Sequence, residues 1–240
     1  GAKTEAFTLT NGDADLNEIR AFVYHPSQKK FFASVSTYAN GERAGFLYSV
    51  NPSNRQATRI NENNGENGHE VWDAIVNWVV APDDSLLSIG DFNDEGNGFV
   101  KFGTNGKRGA KTKTADVCCG LGMVKDGDGL LVANGWETNN GEVILDNFSI
   151  TGEPGSTKLI TNFENFPAES NVSNEWLPVK AMAKDKAGDL FALLFDEDNK
   201  ITYFVKIDRT GDGKVTYIST LGEGNSNQYN SLTAIPKHSF

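Results

Sequence analysis

Apolar positions along this chain fall in short runs separated by clusters of Gly, Asn, Asp, Pro and Ser, and no stretch keeps helical spacing over three turns. The runs come in pairs. Ala21-Phe22-Val23-Tyr24 turns at His25-Pro26 into Lys30-Phe31-Phe32-Ala33, and Trp78-Val79-Val80 turns at Ala81-Pro82-Asp83 into Leu86-Leu87-Ser88-Ile89. Gly122-Met123-Val124 turns at Lys125-Asp126 into Leu130-Leu131-Val132-Ala133, and Ala181-Met182-Ala183 turns at Lys184-Asp185 into Leu190-Phe191-Ala192-Leu193. Each pair predicts a β-hairpin with its turn chemistry explicit. A third and a fourth strand follow in every copy, as in Gly45–Val50 turning at Asn51-Pro52-Ser53-Asn54, or Tyr203–Ile207 turning at Thr210-Gly211-Asp212-Gly213.

Self-similarity at this period predicts an all-β fold, a β-propeller of four-stranded antiparallel blades; a sandwich or Greek-key barrel would not repeat in this way. The units run approximately over 16–60, 72–114, 117–161 and 177–220 of one domain spanning 1–240. Leu232-Thr233-Ala234-Ile235-Pro236-Lys237 matches a first strand once more, and Phe7-Thr8-Leu9 reads as a lone outermost strand. The expectation is therefore four complete units plus a partial fifth, 229–240 closed with 5–10 in a five-bladed ring, with a fragment of a larger ring as the alternative.

Composition narrows the function classes. With 22 basic against 32 acidic residues the formal charge is -10, which repels phosphate backbones; the basic stretch Lys101–Lys113 reads as a hairpin with a solvated face, so no nucleic-acid partner is expected. There is no apolar run of 18 residues to span a bilayer. The Asn, Gly, Thr and Ser content suits an exported protein, secreted, periplasmic or at the cell surface. A chain that begins at Gly1 accords with a removed leader, and the precursor could carry a lipid anchor.

In a propeller the crossover loops and the loops between second and third strands reach one face. The crossovers carry His69-Glu70-Val71-Trp72, Asn174-Glu175-Trp176 and Gln228-Tyr229-Asn230. His69, Trp72, Trp176 and Tyr229, with Trp136 and Glu137 from a second-third loop, form a candidate platform: aromatic rings stack on the apolar face of a sugar while Asn and Glu bond its hydroxyls. Packing of these rings between blades is the alternative. Each of the three histidines, His25, His69 and His238, reads more simply as a solvated loop residue.

Acidic runs in the second-third loops, Asp91, Asp94 and Glu95, then Asp196 and Asp198, supply hard oxygens of the kind calcium takes, though acidic turns explain them as well. No other cofactor is expected. Cys118 and Cys119 are adjacent, either two buried thiols or a vicinal disulfide at the start of an inner strand.

For hydrolysis the candidates are Glu70, Asp73 and Glu175, with Asp116 as a fourth; two such carboxylates, one raised in pKa, would serve a glycosidase. They lie in loops, whereas catalysis requires rigid placement. In its repeat grammar the chain resembles secreted or surface-anchored bacterial β-propellers of uncharacterised type, a resemblance that implies fold and no functional residue. The main expectation is a non-catalytic module binding a glycan, small molecule or protein on its acidic, aromatic crossover face. The alternatives are a carbohydrate-active hydrolase and a structural interaction domain of a larger exported protein.

Overall fold

Short alternating strands joined by tight polar turns can bury one another only by stacking as sheets, and the computed structural model shows how these do so. It describes residues 10–11, 14–15, 19–39, 42–51, 53–54, 56–60, 77–91, 97–113, 122–134, 139–223 and 232–233. A two-residue pair, β1 (Thr10–Asn11) with β2 (Ala14–Asp15), precedes four meanders of four antiparallel strands. The first blade holds β3 (Ile19–His25), β4 (Lys30–Ala39), β5 (Glu42–Val50) and β6 (Ala57–Arg59). The second holds β7 (Asn77–Val80), β8 (Leu86–Asp91), β9 (Asn97–Phe102) and β10 (Arg108–Lys113).

The third blade holds β11 (Gly122–Asp126), β12 (Gly129–Asn134), β13 (Val143–Ser149) and β14 (Pro154–Ile160). In the fourth, β15 (Phe163–Glu164) lies parallel along the outer edge of a meander of β16 (Val179–Lys184), β17 (Leu190–Asp196), β18 (Ile201–Asp208) and β19 (Lys214–Glu223). A 3-10 turn, Ala168–Ser170, sits in the crossover before β16. The arrangement is a β-propeller of four blades.

Turn chemistry fixes the registers. Asp126 pairs with Gly129 across the two-residue turn Gly127-Asp128, where Gly127 takes a φ of 59° that L side chains rarely adopt. Strand alternation then sends every second residue into the gap between blades. Ala21, Val23, Phe32 and Leu47 of the first blade meet Trp78, Leu86, Val100 and Phe102 of the second. Val79, Leu87, Ile89 and Phe99 meet Met123, Leu130, Val132 and Phe148 of the third, and Leu131, Leu145 and Ile160 meet Met182, Leu194, Tyr203 and Val205 of the fourth.

Inner strands approach closely along this series. At Gly122 of β11 an added Cβ would stand 2.7 Å from the Met182 side chain and 2.9 Å from Val179 of β16, so any larger residue would have to push β16 side chains aside. A fourth cluster, including Tyr24, Phe31, Val35 and Tyr48, lies within the first blade. Tyr24 N donates to Thr233 Oγ1 at 3.3 Å, which puts that distant residue beside β3. The five-blade count expected from the repeats is not supported. Most of 229–240 and 5–10 lie outside the described residues, and Thr10 pairs with Asp15 in the local β1–β2 pair.

His25 overturns the expectation of a solvated histidine: it is fully buried, edge-on to Phe32. Its Nε2–H donates to the Asp84 carbonyl at 2.9 Å, and Ser27 Oγ donates to the Asp84 carboxylate at 2.9 Å. The ring is a polar pin between the first two hairpins.

Candidate functional site

The crossover into the fourth blade is held on both flanks. Val172 and Leu177 are buried in the core between blades three and four, and Asn174 N donates to the Asn171 carbonyl at 2.9 Å. The Glu175 carbonyl accepts the Gly141 N–H at 2.9 Å, tying this crossover to the β12–β13 loop of the third blade. Gly141 has a φ of 74°, and a Cβ there would fall 2.4 Å from the Ser173 carbonyl. Glu175 and Trp176 are thus presented from an anchored segment, and Trp176 keeps 37% of its surface exposed.

Opposite Glu175 stands Asp196, the last residue of β17, with no exposed surface. Its Oδ1 accepts the N–H groups of Asp198 at 3.1 Å and Asn199 at 2.8 Å, closing the β17–β18 turn. Its Oδ2 accepts Asn199 Nδ2 at 2.9 Å and the Tyr203 hydroxyl at 3.3 Å. Asn199 Nδ2 also lies 3.3 Å from both carboxyl oxygens of Glu175, and the Glu175 and Asp196 carboxyls share a hydrogen bond.

Electrostatics separate the two acids. Desolvation, then the hydrogen bond to Asp196 and the charges of Asp196 and Asp198, push the Glu175 carboxyl up to about 7. Burial acts in the same sense on Asp196, but the hydrogen bonds from the Asn199 side chain and backbone, from Glu175 and from Tyr203 outweigh it and hold Asp196 below the usual carboxylate range. Burial and the Asp196 charge raise the Tyr203 phenol, so it stays a donor. Below about pH 7 the pair carries one proton, on Glu175.

Among the residues singled out from sequence, the structure brings together Glu175, Trp176, Asp196 and Asp198. Asp196 and Asp198, calcium candidates by sequence, lie in the turn against Glu175, where Asp196 accepts the Asp198 and Asn199 N–H groups; among the described residues no three His, Cys, Asp or Glu side chains are grouped to hold a metal. Asp91 ends β8. His69, Glu70, Trp72, Asp73, Asp94, Glu95, Asp116, Cys118, Cys119, Trp136, Glu137 and Tyr229 lie outside the described residues. Sequence reasoning missed Asn199 and Tyr203, although a Tyr seven residues after a strand-ending Asp across a tight turn is a readable signal for a shared face.

No family model matches the chain, and no curated protein matches it in sequence. Solved structures do share its fold. An exo-β-1,3-galactanase from Clostridium thermocellum superposes with a TM-score of 0.52 at 8% identity, over 82% of this chain and 48% of that one. An engineered GH43 glycoside hydrolase with endo-xylanase and exo-arabinofuranosidase activity gives 0.52 at 14%, over 85% and 42%. An α-L-arabinofuranosidase from Podospora anserina, in complex with cellotriose, gives 0.52 at 10%, over 95% and 76%.

At these identities the likeness establishes the propeller fold, and the chain spans less than half the length of the first two proteins. All three are glycoside hydrolases. That corrects the expectation of a non-catalytic binding module. The objection that the acids sit in loops also weakens for Glu175, whose crossover is anchored by the buried Val172 and Leu177 and by the Gly141 N–H. Among the described residues no helix is long and apolar enough to cross a membrane.

Proposed function

We propose that this chain is the propeller of a carbohydrate-active hydrolase in which Glu175 is the general acid. One observation carries the proposal: the Glu175 carboxyl stands against the wholly buried Asp196 with the Asn199 amide between them, an arrangement that pushes Glu175 up to about 7 and holds Asp196 low. Glycosidic cleavage requires an acid still protonated at working pH to protonate the departing oxygen. Asp196 would stay ionised and keep the proton on Glu175. It is too near to be the second reacting group, because glycosidase carboxyls stand about 5–5.5 Å apart for a nucleophile and roughly 6.5–9.5 Å for a base.

The second carboxylate would come from another crossover loop on the same face, where the sequence offers Glu70 and Asp73. Trp176 would stack a sugar ring, with Asn199 at its edge. A glycan polymer is the partner this chemistry fits, and an exported location accords with it. The test is hydrolysis of arabinan, galactan, xylan and 4-nitrophenyl glycosides by the wild-type chain and by Glu175→Gln. The variant should lose about 10²- to 10⁴-fold in kcat on the polymers, and less on nitrophenyl substrates whose leaving group needs no proton. Full activity in the variant, or none in the wild type on every substrate, defeats the proposal.

A further inference from the structure

The β17–β18 turn that faces Glu175 with Asp196, Asp198 and Asn199 is gripped on its other side. In β16 the pairing steps from Val179 opposite Leu194 to Ala181 opposite Leu193, leaving Lys180 as the extra residue of a β-bulge. Bulges re-aim side chains. Here the Lys180 chain runs inward with 13% of its side-chain surface exposed, its ammonium 5.5 Å from the centre of the buried Phe195 ring and 3.8 Å from Glu197 Oε1.

Burial draws the Lys180 ammonium below its ordinary pKa, with Glu197 opposing that shift. Glu197 lies between Asp196 and Asp198 in the chain. Successive residues of this turn therefore bind alternately: Asp196 and Asn199 to Glu175, Glu197 to the inner strand.

We propose that Lys180 and Glu197 form a strut that holds the Asp196–Asn199 turn against Glu175, making Lys180 a positioning residue for the acid of the proposed hydrolase. The inference rests on that reading for its catalytic meaning, but its geometry is testable without catalysis. Among the described residues, the titratable groups named as acting on Glu175 are Asp196 and Asp198 of the turn; Tyr203 of β18 bonds Asp196 from behind, and Glu169 of the 3-10 turn acts on Tyr203. If the strut is cut, the turn relaxes and carries its two negative charges away from Glu175.

Carbon-13 NMR titration of the Glu175 carboxyl in the unliganded protein is the test. Lys180→Met and Glu197→Gln should each lower its midpoint by about one pH unit toward the ordinary carboxylate range, and Lys180→Arg should retain the wild-type value. A cation acting merely through space would do the reverse, since its loss raises the midpoint. A rise, or no movement, in Lys180→Met overturns the strut, whereas the lost Glu197 charge lowers the midpoint through space as well, so Glu197→Gln counts only by failing to move; if Lys180→Met does not fold, Lys180→Gln, which removes the same charge, takes its place. If the chain proves inactive on every glycan, the hydrolase proposal falls while the titration still judges the strut.

Discussion

At the scale of single residues, the proposed hydrolysis turns on one proton. Asp196→Asn removes the charge that holds the proton on Glu175, so the alkaline limb of kcat against pH, expected near 7 in the wild type, should move to lower pH. The same proton bears on stability. Glu175 has a folded pKa raised from 4.5 to about 7, so the folded state binds the proton more tightly. Its contribution is fully present below about 4.5 and is lost as pH rises through about 7. Glu175→Gln should therefore gain over the wild type at pH 8 relative to pH 5, by about 1 kcal/mol once solvent screening of this half-buried group is allowed for, or roughly 2–4 °C in Tm by calorimetry. Gly141→Ala should cost at least about 1 kcal/mol and disturb Glu175, since the left-handed backbone and the nearby Ser173 carbonyl both refuse a Cβ. Urea titration measures the first effect and the pH profile the second. Glu175 and Trp176 were legible in sequence because a repeated unit assigns its crossover loops to one face. The pairing of Glu175 with Asp196 was not, because strand alternation says which side an acid faces and not how near another acid comes.

At the scale of strands and blades, neighbouring units are joined by charged contacts as well as by apolar packing. Asp126 ends the inner strand of the third blade; its Oδ1 accepts Lys184 Nζ at 2.6 Å and its Oδ2 accepts Arg209 Nη1 at 2.7 Å, both from the fourth. Burial opposes its charge, but the two cations outweigh burial and hold the carboxyl below its ordinary 3.8. A depressed acid contributes stability that is present above 3.8 and disappears as pH falls through the folded value. Asp126→Asn should thus lower stability by about 1–2 kcal/mol at pH 7, and by progressively less below pH 4, in urea unfolding. From sequence, Asp126 was one more turn acid. Its partners come from a separate unit and no local pattern announces them.

At the scale of the whole molecule, stability should follow nearest-neighbour joints. The buried His25 pins the first blade to the second through Asp84, as Asp126 pins the third to the fourth. His25→Leu should cost about 1–3 kcal/mol by leaving the Asp84 carbonyl without its donor. The two joints share no partner, so the His25→Leu/Asp126→Asn double variant should lose the sum of the single losses within about 0.5 kcal/mol. A clear departure in urea unfolding would mean that the ring responds as one unit. Net charge belongs to this scale too: at -10 the molecule repels polyanions, in keeping with a neutral glycan partner.

By itself the sequence determined the strands, their turns and their repetition, because alternation and turn chemistry are local and each copy restates them. It also marked the crossover face, since a repeat gives equivalent loops equivalent places. Only the tertiary structure decided that His25 is buried, that Asp126 meets two cations and that Glu175 stands against Asp196. These depend on register, on one bulged residue at Lys180 and on the depth of burial. Each follows from how separate blades stack, and coulombic and desolvation effects change steeply over the few ångströms that stacking sets.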